Sequence, residues 1–329
     1  MPIEKSVLAP DFEICRILNG MWQVAGGHGQ IDTESAIDDM AQYHKDGFTT
    51  WDMADIYGPA ESLIGQFREK LGSEESFQAL TKFVPNPGPM SNSIVTHYIE
   101  QSLKKLKTDC IDLLQFHWWD YSNKSYLDAL HHLSKLQSEN KIKHLGLTNF
   151  DTERVKIMLE NNFNIVSNQV QYSILDNRPE KVMVSFFAKH NIKILAYGVL
   201  LGGFFSESYL NSDEPHRGNL TTASLQKYKN MIDTWGGWEL FQELLSALNV
   251  IAKKHNCSIA NIAVRFILDK PQVAGVIIGA RLGITNHRED NAKVFDVKLD
   301  SDDIKQINSV TSKSNDLFDT IGDCGGEYR

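Results

Sequence analysis

The sequence predicts a single α/β domain over residues 1–329, a closed (β/α)8 TIM barrel of eight parallel strands. Three observations support this fold class. Short apolar runs alternate with stretches of helical periodicity, which is typical of parallel strands joined by crossover helices. The apolar runs number eight, which favours a closed barrel over an open sheet. The chain is also long enough for one barrel with insertions.

The eight strand candidates are short, and turn signals or polar residues follow them. In chain order they cover 17–24, 48–52, 77–82, 111–116, 144–148, 165–170, 192–197 and 273–278. Stretches with a helical apolar stripe, or with helix start and stop signals, lie between them. These predicted helices cover 32–47, 61–71, 91–106, 126–140, 152–160 and 179–190.

The second half of the chain departs from this alternation. Residues 199–238, after the seventh strand, are rich in Gly, Ser and Asn and contain several aromatic residues. A long insertion at the reactive face of a barrel predicts a lid. An extra C-terminal helix is expected at 301–310, with Ser301 as its N-cap. The polar tail at 313–329 is either mobile or folded over the site.

Composition limits the partners of this chain. It is 42% hydrophobic and 23% charged with a formal net charge of −9, which argues against a long nucleic-acid-binding surface. Neither a leader peptide nor an apolar run of membrane-spanning length is visible. Four scattered cysteines without metal-ligand spacing indicate a reducing compartment. We therefore expect a cytoplasmic protein that binds no nucleic acid, membrane or metal.

Four side chains with complementary acid–base chemistry follow three successive strands. Asp52 ends the second predicted strand, and Tyr57 lies in the turn after it. Lys82 ends the third strand, and His117 follows the fourth. In a (β/α)8 barrel these strand ends meet at the C-terminal face, where reactive groups lie. Any one of the four is more often structural when found alone, but the ordered set predicts a single site.

The four residue types fit the reduction of a carbonyl group. A phenol has an ordinary pKa of about 10, and a neighbouring ammonium lowers such a pKa because it favours the phenolate. Tyr57 is therefore the candidate proton donor, and Lys82 the group that tunes it. Asp52 would pair with Lys82, and His117 would hydrogen-bond the substrate carbonyl. No side chain donates hydride, so a cofactor must supply it.

The chain resembles the aldo-keto reductase family over nearly its whole length. The resemblance rests on an ordered set of motifs: NGMW at 19–22, DMADIYG at 52–58, LTK at 80–82, QFH at 115–117, LGLTNF at 145–150, NQVQY at 168–172 and IIGAR at 277–281. It implies a short N-terminal hairpin before the barrel, NADP(H) as the usual cofactor and a small-molecule aldehyde or ketone as substrate. The catalytic residues of the family match Asp52, Tyr57, Lys82 and His117.

The resemblance also implies contacts to the nicotinamide. Thr148 and Asn149 match the pair that holds its carboxamide, and Gln169 matches the cofactor-binding Gln on the following strand. Tyr197 matches the aromatic residue on which its ring stacks. The loop at 198–203 would bring backbone N–H groups to the pyrophosphate. The residues of this loop assigned to the cofactor are Gly198, Leu200 and Gly202.

At the adenosine end, the matching residues are Gly279, Ala280, Arg281, Asp290 and Asn291. Arg281 favours NADP over NAD, since a guanidinium group makes paired hydrogen bonds to phosphate. The stretch 282–289 looks longer than the family pattern, which leaves open whether His287 or Arg288 also contacts the phosphate. Trp22 and Trp118 match positions that line the substrate pocket. Further aromatic candidates, which more often form core, are Trp51, Trp119, Phe204, Trp235 and Trp238.

Two other functions are compatible with parts of the pattern. A cofactor-binding regulatory subunit with little turnover would carry the same motifs, although the presence of all four catalytic residue types argues against it. A metal-dependent barrel hydrolase would need several His and carboxylate ligands at strand ends, and no His-x-His motif lies at such a position. The sequence determines neither the physiological substrate nor the oligomeric state.

Overall fold

The computed structural model describes residues 3–26, 31–72 and 75–328. Residues 1 and 329, the bounds of the predicted domain, lie outside the described residues. Eight parallel strands form a closed barrel, and an antiparallel hairpin precedes it. This architecture confirms the predicted (β/α)8 barrel with an N-terminal hairpin. The hairpin strands are β1 (Lys5–Ala9) and β2 (Phe12–Cys15). The barrel strands are β3 (Ile17–Gly20), β4 (Thr50–Asp52), β5 (Gln78–Phe83), β6 (Ile111–His117), β7 (Ile142–Thr148), β8 (Ser167–Gln171), β9 (Lys193–Tyr197) and β10 (Val273–Gly279).

The hairpin covers the N-terminal end of the barrel with apolar side chains. One buried cluster joins hairpin residues to barrel residues: Leu8, Ala9, Phe12, Ile14, Leu18, Leu80, Leu113, Leu195 and Ala274. Burial of each such leucine contributes about 1.5–3 kcal/mol. Side chains two residues apart on a strand share a face, so Leu80 points to the same interior as Lys82, one layer lower. The interior of the barrel is therefore apolar towards its N-terminal end and polar at its C-terminal mouth.

Helices surround the barrel, and capping side chains satisfy the free N–H groups at several of their starts. Asp32 accepts a hydrogen bond from the backbone N of Ser35 at 2.8 Å, and Asp151 accepts one from that of Arg154 at 2.8 Å. Each cap is worth about 1 kcal/mol. The helices are α1 (Thr33–Lys45), α2 (Ala60–Leu71), α3 (Asn92–Leu106), α4 (Ser125–Ser138), α5 (Thr152–Glu160), α6 (Met183–His190), α7 (Ala223–Trp235), α8 (Gly237–Lys254), α9 (Ile259–Leu268), α10 (Arg288–Lys293), α11 (Ser301–Thr311) and α12 (Leu317–Ile321).

The first barrel strand is shorter than predicted. It ends at Gly20 because the last residues of its neighbours, Asp52 and Gly279, are its final pairing partners. A 3-10 turn at Trp22–Ala25 follows instead of further strand. Gly20 is also required by packing, since a Cβ there would lie 2.6 Å from Cγ2 of Ile277.

The extra helix is confirmed as α11, but its predicted N-cap is wrong. Asp300, not Ser301, caps the helix. Its side chain accepts a hydrogen bond from the backbone N of Asp303 at 3.0 Å, and the Asp303 side chain accepts one from the backbone N of Asp300 at 3.1 Å. This reciprocal pair satisfies two of the helix's free N–H groups at once.

The insertion after the seventh barrel strand, 199–238, is more ordered than its composition suggests. It contains three 3-10 turns and ends in α7. Lys229 of α7 is 2% exposed and forms ion pairs with Glu214, at 2.6 Å, and with Asp233. The pair with Glu214 joins the irregular part of the insertion to α7, whereas Asp233 lies on α7 itself. Most of the further aromatic candidates pack in the core and not in a pocket: Trp51, Phe204, Trp235 and Trp238.

Five helices of the described residues were not predicted from the sequence: α7, α8, α9, α10 and α12. The longest of them, α8, begins at the end of the insertion, and α9 packs against β10. The large buried residues of α8 recur at helical spacing and form one apolar face. They are Trp238, Phe241, Leu244, Leu245, Leu248 and Ile251. Every residue of α9 except Ala260 is buried. Within the described part of the chain, no helix combines the length and apolarity that a membrane span needs.

Candidate active site

The carboxylate of Asp52 is the centre of a buried polar cluster at the mouth of the barrel. Lys82 Nζ lies 2.6 Å from its Oδ2. The side-chain amides of Gln115 and Gln169 donate to its Oδ1 at 2.8 and 2.7 Å. Both carboxylate oxygens are therefore hydrogen-bonded, which offsets part of the cost of burying a charge. Sequence analysis did not identify Gln115, although it has the same strand parity as His117.

Lys82 is held rigidly between two acceptors. Its side chain and that of Asp52 are 4% and 3% exposed, and its ammonium also donates to the Met53 carbonyl oxygen at 2.9 Å. Burial lowers the pKa of the Lys82 ammonium, and the Asp52 carboxylate opposes this shift. These two contacts fix the position of the Lys82 ammonium directly below the mouth of the barrel.

Tyr57 stands between Lys82 and the solvent. The Lys82 ammonium lies 5.1 Å from the centroid of the Tyr57 ring. Trp22 packs edge-on against the same ring, with centroids 5.0 Å apart, and is 42% exposed. The structure thus brings the predicted proton donor and the predicted tuning group together, with an exposed aromatic residue beside them.

His117 ends β6 with its side chain directed into the mouth. Its ring lies 4.2 Å from that of Trp119, and Trp119 is 37% exposed. Trp118 points the other way. Its ring is fully buried against Phe116, and its indole N–H donates to the Asp120 carbonyl oxygen at 2.7 Å. A fully buried ring cannot line an open pocket, so the structure corrects the expectation for Trp118 and brings Trp119 to the site in its place.

Asp55 is a further acidic group at the site that the sequence analysis did not single out. Its Oδ2 accepts a hydrogen bond from the Val84 backbone N at 3.2 Å. Its Oδ1 is buried and, among the described residues, has no hydrogen-bond partner. Burial raises the pKa of Asp55 to about 6. The folded protein therefore binds a proton at Asp55 that the unfolded chain releases at lower pH.

This shift predicts a pH-dependent loss of stability. Because the folded pKa of Asp55 is about 6 against an ordinary 3.8, the free energy of unfolding contributed by this group falls as pH rises from about 4 to about 6. Asp55→Asn should remove that fall, and its free energy of unfolding at pH 7 should therefore exceed that of the wild type by about 3 kcal/mol. Urea unfolding of both proteins at several pH values measures the difference, and parallel stability curves would contradict the assignment.

The predicted carboxamide-binding residues lie around the end of β7. Asn149 Oδ1 accepts a hydrogen bond from the Tyr197 hydroxyl at 2.9 Å, which links the carboxamide-binding position to the stacking position. The Thr148 hydroxyl donates to the Gln169 carbonyl oxygen at 3.2 Å. The Gln169 side chain is engaged with Asp52 and Gln115, at the junction of the catalytic cluster and this second group. Their contacts to a nucleotide stay a prediction.

The loop after β9 contains glycines in backbone conformations that other residues rarely adopt. Gly198 and Gly202 have φ of 73° and 68°, a region that favours glycine. Gly202 and Gly203 are exposed, and a Cβ on Gly203 would meet nothing within 4 Å. Ligand oxygens could therefore approach the main chain closely at this point. Leu200 lies at the start of the 3-10 turn in this loop.

The residues predicted for the adenosine end differ in what they already contact. Arg281 is exposed, and no ion pair to it occurs among the described residues. Arg288 instead pairs with Asp46 at 2.7 Å. Asp290 accepts hydrogen bonds from the Ser258 hydroxyl at 2.8 Å and from the side chain of Asn261. The side chains with no described partner in this region lie near the end of β10 and around α10: Arg281, His287 and Asn291.

Gly279 and Ala280 complete the segment at the end of β10. A Cβ on Gly279 would lie 2.0 Å from the side-chain nitrogen of Gln23, so a larger residue at this position would require the Gln23 side chain to move. Ala280 is buried and donates its backbone N–H to the Gly20 carbonyl oxygen at 2.9 Å. Across residues 3–26, 31–72 and 75–328, no group of three or more His, Cys, Asp or Glu side chains is arranged to hold a metal ion.

Comparison with known proteins gives a consistent result. The sequence matches the family model described as Aldo/keto reductase family over residues 16–312. Aldo-keto reductase YhdN of Bacillus subtilis is 26% identical, over 96% of this chain and 95% of its own length. Flagellar radial spoke protein 5 of Chlamydomonas reinhardtii is 25% identical over 66% of this chain, which spans about half (49%) of that relative. An aldo-keto reductase from Klebsiella pneumoniae, solved in complex with NADPH, has a TM-score of 0.72 at 19% identity and covers 94% of this chain and 96% of its own.

Proposed function

The chain belongs to the aldo/keto reductase family, and on that premise we propose that it is an NADP(H)-dependent oxidoreductase that reduces an aldehyde or ketone to an alcohol. The observation that carries this proposal is the stack formed by Asp52, Lys82 and Tyr57. Asp52 and Lys82 form a buried ion pair at 2.6 Å. The Lys82 ammonium lies 5.1 Å from the centroid of the Tyr57 ring, which is half-buried. This arrangement suits proton donation at the barrel mouth.

Each side chain has one role in the proposed reaction. Tyr57 donates a proton to the carbonyl oxygen as negative charge develops there. Lys82 stabilises the phenolate that results, and Asp52 keeps the ammonium in place. His117 donates a hydrogen bond to the same substrate oxygen. The exposed rings of Trp22 and Trp119 contact the apolar part of the substrate.

The residues present fit a nicotinamide nucleotide. Thr148, Asn149 and Gln169 offer hydrogen-bonding groups for a carboxamide, and Tyr197 offers an aromatic ring. The positive-φ glycines of the loop after β9 expose backbone to a pyrophosphate. The adenosine end is assigned to Gly279, Ala280, Arg281, Asp290 and Asn291. The nucleotide, when bound, supplies the hydride that no side chain provides.

The insertion 199–238 is proposed as the cover of this nucleotide. Its helix α7 packs directly on the loop after β9: a Cβ on Gly198 would lie 2.4 Å from the Tyr228 hydroxyl, and one on Gly202 would lie 3.3 Å from Cβ of Ser224. A nucleotide held by the loop would therefore lie next to the insertion. Closure of such a segment excludes water from the reacting centre.

Arg281 gives a direct test of the cofactor proposed. Arg281→Ala should weaken NADPH binding by about 10- to 100-fold, the value of a charge-assisted contact, and leave NADH binding nearly unchanged. Fluorescence titration with both nucleotides measures the two affinities. Arg288→Ala is the matched control, because Arg288 is already paired with Asp46. Equal losses for NADPH and NADH would exclude Arg281 as a phosphate ligand, and a selective loss in the control would transfer that role to Arg288.

A second candidate function is a cofactor-binding subunit with little turnover. One observation favours it: a relative of this chain is named as a flagellar radial spoke protein. NADPH titration followed by turnover with a panel of aldehydes and ketones separates the two functions. Binding with turnover supports the reductase. Tight binding with no turnover across the panel would support the subunit, and no nucleotide binding at all would refute both.

A further inference from the structure

The segment 313–328 is anchored at several points beside the candidate cofactor site. Its Asn315 backbone N donates to the Trp235 carbonyl oxygen, at the C-terminal end of α7, at 2.8 Å. Asp323 accepts a hydrogen bond from the Thr152 backbone N, at the start of α5, at 2.7 Å. The segment thus bridges the insertion and the loop that carries Asn149. Sequence analysis left open whether this segment is mobile or folded over the site, and the structure has it folded there.

A buried ion-pair network extends from this segment into the barrel mouth. Arg178 is fully buried and forms a two-point contact with Asp176, through Nε at 2.8 Å and Nη2 at 2.8 Å. Its remaining nitrogen, Nη1, lies 2.9 Å from Oε2 of Glu327. The Glu327 side chain is 6% exposed. Burial disfavours its charge, but Arg178 and then Lys227 hold the pKa of Glu327 below its ordinary value. Glu327 is therefore a carboxylate in the neutral pH range.

The other oxygen of Glu327 faces Tyr197, the predicted platform for the nicotinamide ring. The Tyr197 hydroxyl lies 3.3 Å from Oε1 of Glu327 and 2.9 Å from Oδ1 of Asn149. A phenol has one hydrogen to donate, and a carboxylate is a stronger acceptor than an amide oxygen. The Glu327 carboxylate and the Asn149 amide oxygen therefore compete for the one hydrogen of the Tyr197 hydroxyl. The carboxylate thus influences both the ring position and the orientation of the Asn149 amide.

We propose that Glu327 is a positioning residue for the nicotinamide, which acts by holding the Tyr197 hydroxyl and, through it, the Asn149 amide. The proposal rests on the proposed nicotinamide cofactor and extends it, because it makes a segment distant in sequence part of the cofactor site. Lys227 supports the same ring from α7, with its ammonium 5.1 Å from the Tyr197 centroid. A helix of the insertion between β9 and β10 and the segment that follows the barrel in sequence therefore meet at the Tyr197 phenol.

The test compares two ligands that share the adenosine phosphate end, only one of which carries a nicotinamide. Glu327→Met removes the acceptor at similar side-chain size, and Arg178 keeps Asp176 as a partner in this variant. We expect it to weaken NADPH binding about tenfold and to change the affinity for 2′,5′-ADP by less than about twofold, because the latter has no nicotinamide to position. Asp319→Met, in the same segment but exposed, is the matched control and should change neither affinity.

A double-mutant cycle identifies the residue through which Glu327 acts. In a Tyr197→Phe background the hydroxyl is gone, so Glu327→Met should have no further effect on NADPH binding. Equal losses for both ligands, additive losses in the cycle, or no loss at all would overturn the proposal. The result is distinguishable from failure of the proposed function: a wild-type protein that binds NADPH but reduces no carbonyl refutes the reductase and still tests Glu327. Absence of NADPH binding by the wild type would overturn both.

Discussion

Replacement of Tyr57 by phenylalanine is expected to lower kcat for carbonyl reduction by about 10²- to 10⁴-fold, the usual contribution of a positioned general acid. The ring is retained, so its packing against Trp22 and the Lys82 ammonium stays intact. NADPH affinity should therefore change little. Steady-state kinetics with an aldehyde, together with NADPH titration by fluorescence, measure the two quantities separately.

The control for Tyr57→Phe is Tyr98→Phe. Tyr98 lies on α3, is 40% exposed and packs against Phe83 on the outside of the barrel. Loss of its hydroxyl should leave kcat unchanged. If Tyr57→Phe reduced carbonyls at the parental rate, the proton would have to come from another group, and His117 would be the first to examine.

Lys82→Met should have two effects of different origin. Loss of the ammonium removes the charge that favours the phenolate, so kcat should fall by about 10²-fold or more. It also leaves the Asp52 carboxylate buried without its counter-ion, which costs about 3–5 kcal/mol of folding stability. In the direction of alcohol oxidation, where the phenolate acts as base, the pH of half-maximal rate should rise. Urea unfolding and a pH–rate profile measure these effects.

The double variant Asp52→Asn with Lys82→Met separates stability from chemistry. Asparagine keeps an acceptor for the amides of Gln115 and Gln169 but carries no charge. Most of the lost stability should return, because no unpaired charge stays buried, while activity should stay low. A double variant with restored turnover would show that the ammonium acts on folding alone, and the catalytic role of Lys82 would be abandoned.

The sequence could predict the catalytic residues that lie at the ends of barrel strands. Asp52, Lys82 and His117 follow apolar runs, and parallel strands in a barrel bring such ends together. The choice of Trp118 failed because it neglected side-chain alternation. His117 points inward, so Trp118 must point outward and Trp119 inward again. The same parity would have identified Gln115, two residues before His117, as an interior residue.

Other features depended on distant parts of the chain. The apolar spacing of α8 was present in the sequence, but its position after an irregular insertion obscured it. Asp300 and Ser301 are both good N-cap types, and only the reciprocal contact with Asp303 decides between them. No local pattern marks Glu327. Its role depends on Arg178 and Tyr197, which lie more than a hundred residues earlier in the chain.

A crystal structure of the protein with NADP+ and a carbonyl inhibitor tests the central claim most directly. We expect the nicotinamide ring to stack on Tyr197, with its C4 atom turned towards Tyr57. The inhibitor oxygen should lie within about 3.5 Å of the Tyr57 hydroxyl, the distance of a reactive geometry. A nicotinamide bound away from the barrel mouth, or one whose C4 faces away from Tyr57, would contradict the proposed mechanism.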